Sequence, residues 1–352
     1  MKKFICFLMI VVYFSCNNIS SMAEEDFTLD IGNVHIDATI MNSKSVASEV
    51  QIEYMNQINM HDAMAMNLAE YYDCAYELGF EGGNLQADPT DWSYSYIFDN
   101  GKRLSLNTGP LFDVSTIDSE YECLFADANN IIDYGMDTFE FALPQHGLEQ
   151  GMEILHSMGL NIDLHARKSF SVNGEQFHAK IEELNAYYRE IGKDTHYALE
   201  ENYNPEAEIA YIIWVEQTVN GLPVSGAYRY GSRWRNTSYI VFTQQGIEHF
   251  HLDHPIANME IGEAQPLISH EEAAAALAED WNYLLNVYPL DIKEVRLCYV
   301  AQDPGTTSDL FTLEAGLVPA WEFSSYSYAV GEENVLYIDY YYVNAITGEV
   351  IL

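Results

Sequence analysis

The chain has 352 residues and a formal net charge of −39, from 54 acidic and 15 basic side chains. With 48% hydrophobic and 13% aromatic residues it is not a disordered polymer, and its length suffices for two or three compact units with a sizeable core. So acidic a protein is repelled by nucleic acid and by anionic membrane surfaces, which excludes both as partners.

The first 23 residues read as an export signal. Lys2-Lys3 give a charged start, Phe4 to Phe14 an apolar run too short to span a bilayer, and Ser21-Met22-Ala23 a small-x-small cleavage site. Loss of Lys2 and Lys3 takes the charge from −39 to −41 and leaves no expected transmembrane helix. Cys16 is the alternative processing site, as a lipidated residue, but Tyr13-Phe14-Ser15 is a poor lipoprotein context. Cys74, Cys123 and Cys298 are dispersed and odd in number, so they specify no disulfide framework.

Loose alternation in Phe27 to Ile31 and Val34 to Ile36 suits an opening strand. Met64, Leu68, Tyr71, Ala75 and Leu78 recur at helical spacing, with Gly79 as the expected stop. Met55, Met60, Met64 and Met66 read as core filling, since a thioether metal site needs a tighter motif. Trp92 to Phe98 alternates as a strand, Asp99-Asn100-Gly101 turns, and Leu104 and Leu106 mark the return. Phe139 to Leu143 is a further strand candidate, and a lobe boundary is expected near Gly147, dividing residues 24–150 from 151–352.

Leu148, Met152 and Leu155 place a helix before Gly159, and Phe177, Ile181, Leu184, Tyr188 and Ile191 a longer one from Gly174. Leu78-Gly79-Phe80 and Met158-Gly159-Leu160, each expected to close a helix ahead of a strand, hint at a duplicated unit. Tyr211 to Gly226 is a hairpin signal: strand formers up to Val219, the positive-φ dipeptide Asn220-Gly221, then Leu222-Pro223-Val224, where the proline points to an edge. Tyr228 to Tyr230 and Tyr239 to Thr243 follow as strands, the second turned back by Gln245-Gly246. Ser269-His270-Glu271-Glu272 is a capping box ahead of a helix carrying Ala273, Leu277, Trp281 and Leu284. Strands at Val295 to Val300, Leu317 to Phe323 and Val335 to Val343 precede a last turn at Thr347-Gly348.

Five of these pieces, in order over residues 205–352, resemble the PepSY and thermolysin-propeptide superfamily, most of all its YycI-type extracytoplasmic regulators. They are Val-Glu-Gln-Thr-Val-Asn-Gly-Leu-Pro-Val, the helix opening Ile-Ser-His-Glu-Glu-Ala, a strand ending Cys-Tyr-Val, Leu-Val-Pro-Ala-Trp-Glu-Phe, and Tyr-Val-Asn-Ala-Ile-Thr-Gly-Glu-Val. The resemblance implies an antiparallel sheet curled over a helix and a non-catalytic role that restrains a sensor kinase or a hydrolase. The chain departs from it in lacking both a following peptidase and a retained membrane helix. The expected fold class is α+β, with antiparallel sheets each packed on helices.

Signatures of chemistry are scarce. The chain has no H-E-x-x-H, P-loop, G-x-G-x-x-G or G-x-S-x-G motif, and no catalytic residue or cofactor is expected. His249, His251 and His254 are the best metal candidate, because an H-x-H pair on a strand points to one side. That set carries the competing reading of a metal-binding protein or metal-assisted hydrolase. Tyrosine-rich strands such as Tyr340-Tyr341-Tyr342 read as packing before they read as a sugar platform. The favoured function is protein binding by an exported regulator whose partner is a membrane sensor kinase or a secreted hydrolase. Its expected surface is the hairpin edge with Gln217, Asn220, Gly221 and Pro223, together with Arg229, Arg233 and Arg235, which cluster beside Trp234.

Overall fold

The computed structural model describes residues 25–55, 60–83, 92–107, 111–117, 119, 121, 123–124, 135–192, 197, 203–225, 238–283, 289–302, 314–328 and 336–351. The expected export signal, Cys16, the strand at Tyr228 to Tyr230 and the arginines at 229, 233 and 235 lie outside these residues.

Three strands open the chain: β1 (Glu25–Ile31), β2 (Val34–Met41) and β3 (Val46–Tyr54). β1 and β2 form a hairpin around Gly32, whose φ of +61° suits a residue without Cβ. In β2, Val34, Ile36, Ala38 and Ile40 point inward while His35 and Asp37 face solvent, the period-2 pattern of a strand with one buried face. After helix α1 (His61–Tyr72) come β4 (Tyr76–Gly83), β5 (Trp92–Phe98), β6 (Lys102–Asn107) and β7 (Leu111–Thr116). Helix α2 (Pro144–Ser157), strand β8 (Asp163–Asn173) and helix α3 (Gly174–Glu190) lead to β9 (Glu208–Val219) and β10 (Leu222–Pro223). The chain continues through β11 (Tyr239–Thr243), β12 (Gly246–Asp253), β13 (Ile256–Pro266), α4 (His270–Tyr283), β14 (Leu290–Gln302), β15 (Glu314–Tyr328), β16 (Leu336–Asn344) and β17 (Val350–Ile351).

The strands form two large sheets, and this corrects the expected fold class. The molecule is predominantly β, with sheets of eight and nine strands against four helices among the described residues, and is no pair of helix-packed α+β lobes. The first sheet runs β1-β2-β14-β15-β16-β17, with β3 alongside the start of β15 and β13 outside β3. The opening strands therefore complete a sheet whose other members lie beyond residue 255. β2 pairs with β14 in parallel, whereas the other paired strands described are antiparallel. The second sheet runs β10-β9-β11-β12-β7-β6-β5-β4, with β8 on the other flank of β9. It spans both sides of the expected boundary, and Gly147 sits inside α2. A Cβ on Gly147 would lie 2.8 Å from both Ile213 and Phe242, so its hydrogen is what lets α2 lie against the sheet.

Each sheet has its own core. On the first, the alanine face of α4 (Ala273, Ala274, Ala278 with Leu277) packs close to Ile292, Leu297, Leu317, Trp321 and Phe323. The expected capping box starts this helix: Ser269 Oγ accepts from the Glu272 amide at 3.2 Å, and Glu272 accepts from the Ser269 amide at 2.9 Å. On the second sheet, Ile213, Val215, Ile240 and Phe242 meet α2, while the alternate residues Ile212, Trp214 and Val241 face α3.

Other local expectations differ in detail. α1 stops at Tyr72 because Asp73 turns left-handed (φ 49°) and caps Ala69 and Glu70, so Leu78 and Gly79 belong to β4 and the suggested duplication of helix ends fails. Phe139 to Leu143 is no strand; it leads into Pro144 at the start of α2. Met55 and Met64 fill the core as expected, whereas Met66 is exposed.

Candidate functional site

Two polar constellations are buried in the sheets, and one exposed edge borders an open groove. The first constellation lies on β7 and β12. Their antiparallel register sets His251 opposite Asp113 and His249 opposite Ser115, so all three functional side chains share a sheet face. His249 Nε2 is in short hydrogen-bond contact with Asp113 Oδ2, and His251 Nδ1 lies 3.3 Å from the same oxygen. The three candidate ligand atoms lie within 4.8 Å of one another, and the side chains are only 13% (Asp113), 10% (His249) and 15% (His251) exposed. Tyr239 backs the group: its hydroxyl is 3.4 Å from His249 Nδ1 and its ring stacks on His251 at 5.3 Å. Burial by itself pushes the Asp113 carboxyl up. The hydrogen bonds and charge of both imidazoles outweigh it and hold that carboxyl well below its usual range. Burial, then the Asp113 charge, pushes the Tyr239 phenol up.

His254 does not join this group. It follows the end of β12 with φ at 52°, beside Asp253, and turns the chain toward β13. The expected triple-histidine set therefore becomes two histidines and an aspartate. Asp113 escapes a reading by spacing because it lies 136 positions from His249, and its one sequence signal is a charge inside the apolar alternation Leu111-Phe112-Asp113-Val114.

The second constellation joins the sheets. Arg296 of β14 donates to Glu216 of β9 at 2.5 and 2.7 Å and to Glu322 of β15 at 2.8 and 3.0 Å. Arg167 of β8 donates to Glu322 at 2.8 Å and to Glu216 at 3.3 Å. Ser225 Oγ donates to Glu322 at 2.8 Å, and the Arg167 guanidinium lies 4.5 Å from the Tyr340 ring centroid. Two positive and two negative groups thus balance in an interior where a lone charge would be very costly. Burial alone would raise the Glu322 carboxyl, but the charges of Arg167 and Arg296 and bonds from Arg296 and Ser225 bring it down to about 2. Its charge partners among the described residues are one another, so this group is an internal clamp between the sheets.

The expected partner surface is placed differently. Gln217 is buried and spent internally: its amide donates to the carbonyls of Asp253 and His254, and its oxygen accepts from the Ile256 amide at 2.8 Å. Asn220 (φ 48°) and Gly221 (φ 72°) make the expected turn and are exposed. Pro223 is buried, and the return segment is sewn to the other sheet by a Val224–Tyr299 bridge and a bond from the Ser225 amide to the Tyr299 carbonyl at 2.8 Å. The hairpin edge is therefore closed.

β4 is one of the sheet edges: like β1, β8 and β13 it pairs with a single strand among the described residues, here β5. Tyr76, Leu78 and Phe80 on it are 38%, 48% and 53% exposed. Beside it an open groove of about 590 Å³ is lined by Met66, Ala69, Glu70, Asp73, Cys74, Ala75 and Tyr76. The outer strand β13 also exposes Met259 and Ile261, with register shifts on either side of them, after Ile256 and after Ile261; β4 has one such shift, between Leu78 and Phe80, and differs in bordering the groove.

No family model matches the chain, and no curated protein matches it. The PepSY and YycI-type resemblance therefore rests on its five sequence pieces. A solved structure of an uncharacterized protein from Eubacterium rectale ATCC 33656 is similar at a TM-score of 0.57 and 13% identity, covering 92% of each chain. At that identity the likeness is one of fold. No helix among the described residues is long and apolar enough to cross a membrane.

Proposed function

We propose that this chain is an exported, non-catalytic protein-binding regulator, and that its contact surface is the free edge of β4 with the adjoining groove. The observation that carries this reading is a strand that, among the described residues, has one edge without a strand partner and three exposed apolar side chains, next to a groove lined by Met66, Ala69, Cys74 and Ala75 as well as Glu70 and Asp73. Such an edge accepts an extended segment as an added strand: the backbone bonds supply affinity and the side-chain sites supply selectivity. Glu70 and Asp73 line the groove, Glu77 and Glu81 lie on the strand, and the whole chain carries −39, so the fitting occupant is an extended segment alternating apolar with basic residues. A membrane sensor kinase and a secreted hydrolase are the partner classes proposed to carry it.

Random peptides displayed on phage and selected on the full chain test the reading. Enrichment of alternating apolar and Lys/Arg sequences is expected, with binding that weakens as salt rises. Joint substitution of Leu78→Lys and Phe80→Lys is expected to weaken the selected peptides tenfold or more, since burying a large apolar side chain contributes roughly 1.5–3 kcal/mol. Selection of no extended basic peptide, or peptides indifferent to both substitutions, would overturn it.

A further inference from the structure

The group on β7 and β12 supports an inference independent of the β4 edge. We propose that Asp113, His249 and His251 bind one divalent transition-metal ion of the zinc class, with a coordination position left for a fourth ligand. Three features argue for it.

The donor set is right for such an ion. Two imidazole nitrogens and a carboxylate oxygen are ligands that zinc, nickel and copper take readily and that magnesium and calcium do not prefer. The spacing also fits. Ligands held about 2.0–2.1 Å from a tetrahedral ion are roughly 3.3 Å apart, and His251 Nδ1 stands 3.3 Å from Asp113 Oδ2. His249 Nε2 touches the same oxygen and all three donor atoms lie within 4.8 Å of one another, so an ion would take the place of the hydrogen-bonding proton and spread that contact.

The surroundings complete the site. The Tyr239 hydroxyl meets His249 at Nδ1, which directs Nε2 toward the carboxylate, and the same ring stacks on His251 and fixes its plane. Metal-ligating histidines commonly have such a partner on the far nitrogen. The ligands rise from two hydrogen-bonded strands near the middle of the second sheet, so their backbone positions are set before any ion arrives. Each imidazole would give the ion the lone pair of one nitrogen and keep its proton on the other, His249 on Nδ1 toward Tyr239, with no change in oxidation state.

The test uses the full chain, stripped with chelator and titrated with zinc chloride by calorimetry, then with cobalt chloride followed by visible absorption. One equivalent of zinc per chain and the intense d–d bands of four-coordinate cobalt are expected. His251→Ala and Asp113→Asn are each expected to weaken zinc on the order of a hundredfold, and Tyr239→Phe about tenfold. His254→Ala is expected to leave affinity unchanged. Circular dichroism of each variant separates loss of the ligand from loss of the fold, and Asp113→Asn keeps the shape of the site. The proposal is overturned if zinc does not saturate below millimolar concentration. It is equally overturned if folded His249→Ala/His251→Ala protein binds zinc as the parent does, which would place the ion on the acidic surface.

Discussion

At Arg296 the interior of this molecule is decided by charge. Its guanidinium holds Glu216 and Glu322 together across the two sheets, and each of those carboxylates is nearly sealed from water. Replacing Arg296 with Met leaves two buried carboxylates sharing Arg167 alone. Removal of one partner from a buried ion pair costs about 3–5 kcal/mol, and a loss of that size in urea denaturation is expected for Arg296→Met. The pH dependence follows from Glu322, whose carboxyl stands at about 2 in the folded chain against 4.5 ordinarily. A carboxyl depressed by folding stabilises the folded state above its unfolded value, and that stability is lost as pH falls. The urea midpoint should therefore hold above pH 4.5 and drop between 4.5 and about 2, and the drop should be smaller in Glu322→Gln, where the contribution of the depressed Asp113 carboxyl remains. None of this was legible beforehand except as charges interrupting apolar strands, in Val295-Arg296-Leu297 and Trp321-Glu322-Phe323. The side chains that neutralise one another come from four strands, and local pattern carries no record of their meeting.

Among the elements, those whose signals are local were readable. Asn220-Gly221 took the positive φ values that a tight hairpin requires, and Ser269 with Glu272 closed the capping box. Ser269→Ala is expected to lower stability by about 1 kcal/mol, measured as a denaturation midpoint. The α1–β4 junction differs from the sequence pattern because Leu78 keeps helical spacing with Met64, Leu68 and Tyr71, while β4 lies exposed and shows no alternation that would mark it as a strand. Gly147, expected at a lobe boundary, is instead a close approach of α2 to the second sheet, with Gly151 one turn on. Gly147→Ala would drive a methyl group into Ile213 and Phe242, and a loss of about 1–3 kcal/mol is expected from overpacking, even though alanine favours helix.

On the scale of the whole molecule, sequence order and spatial order part company. β1 to β3 sit in one sheet with β13 to β17, and the strands between them build the other, so no cut near residue 150 yields two self-contained lobes. The parallel pairing of β2 with β14 joins residues more than 250 positions apart, which no window of sequence can show. That arrangement seals the Asn220-Gly221 hairpin against β14, while β4 keeps an edge with no strand partner among the described residues, beside the groove. A partner segment is proposed to add to the second sheet there. Hydrogen–deuterium exchange on the full chain, with and without a phage-selected basic peptide at saturating concentration, tests it most directly. Slowed exchange confined to the amides of Tyr76–Gly83 and the adjoining end of α1 is the expected result; peptide binding that leaves those amides exchanging at their free rate would contradict it.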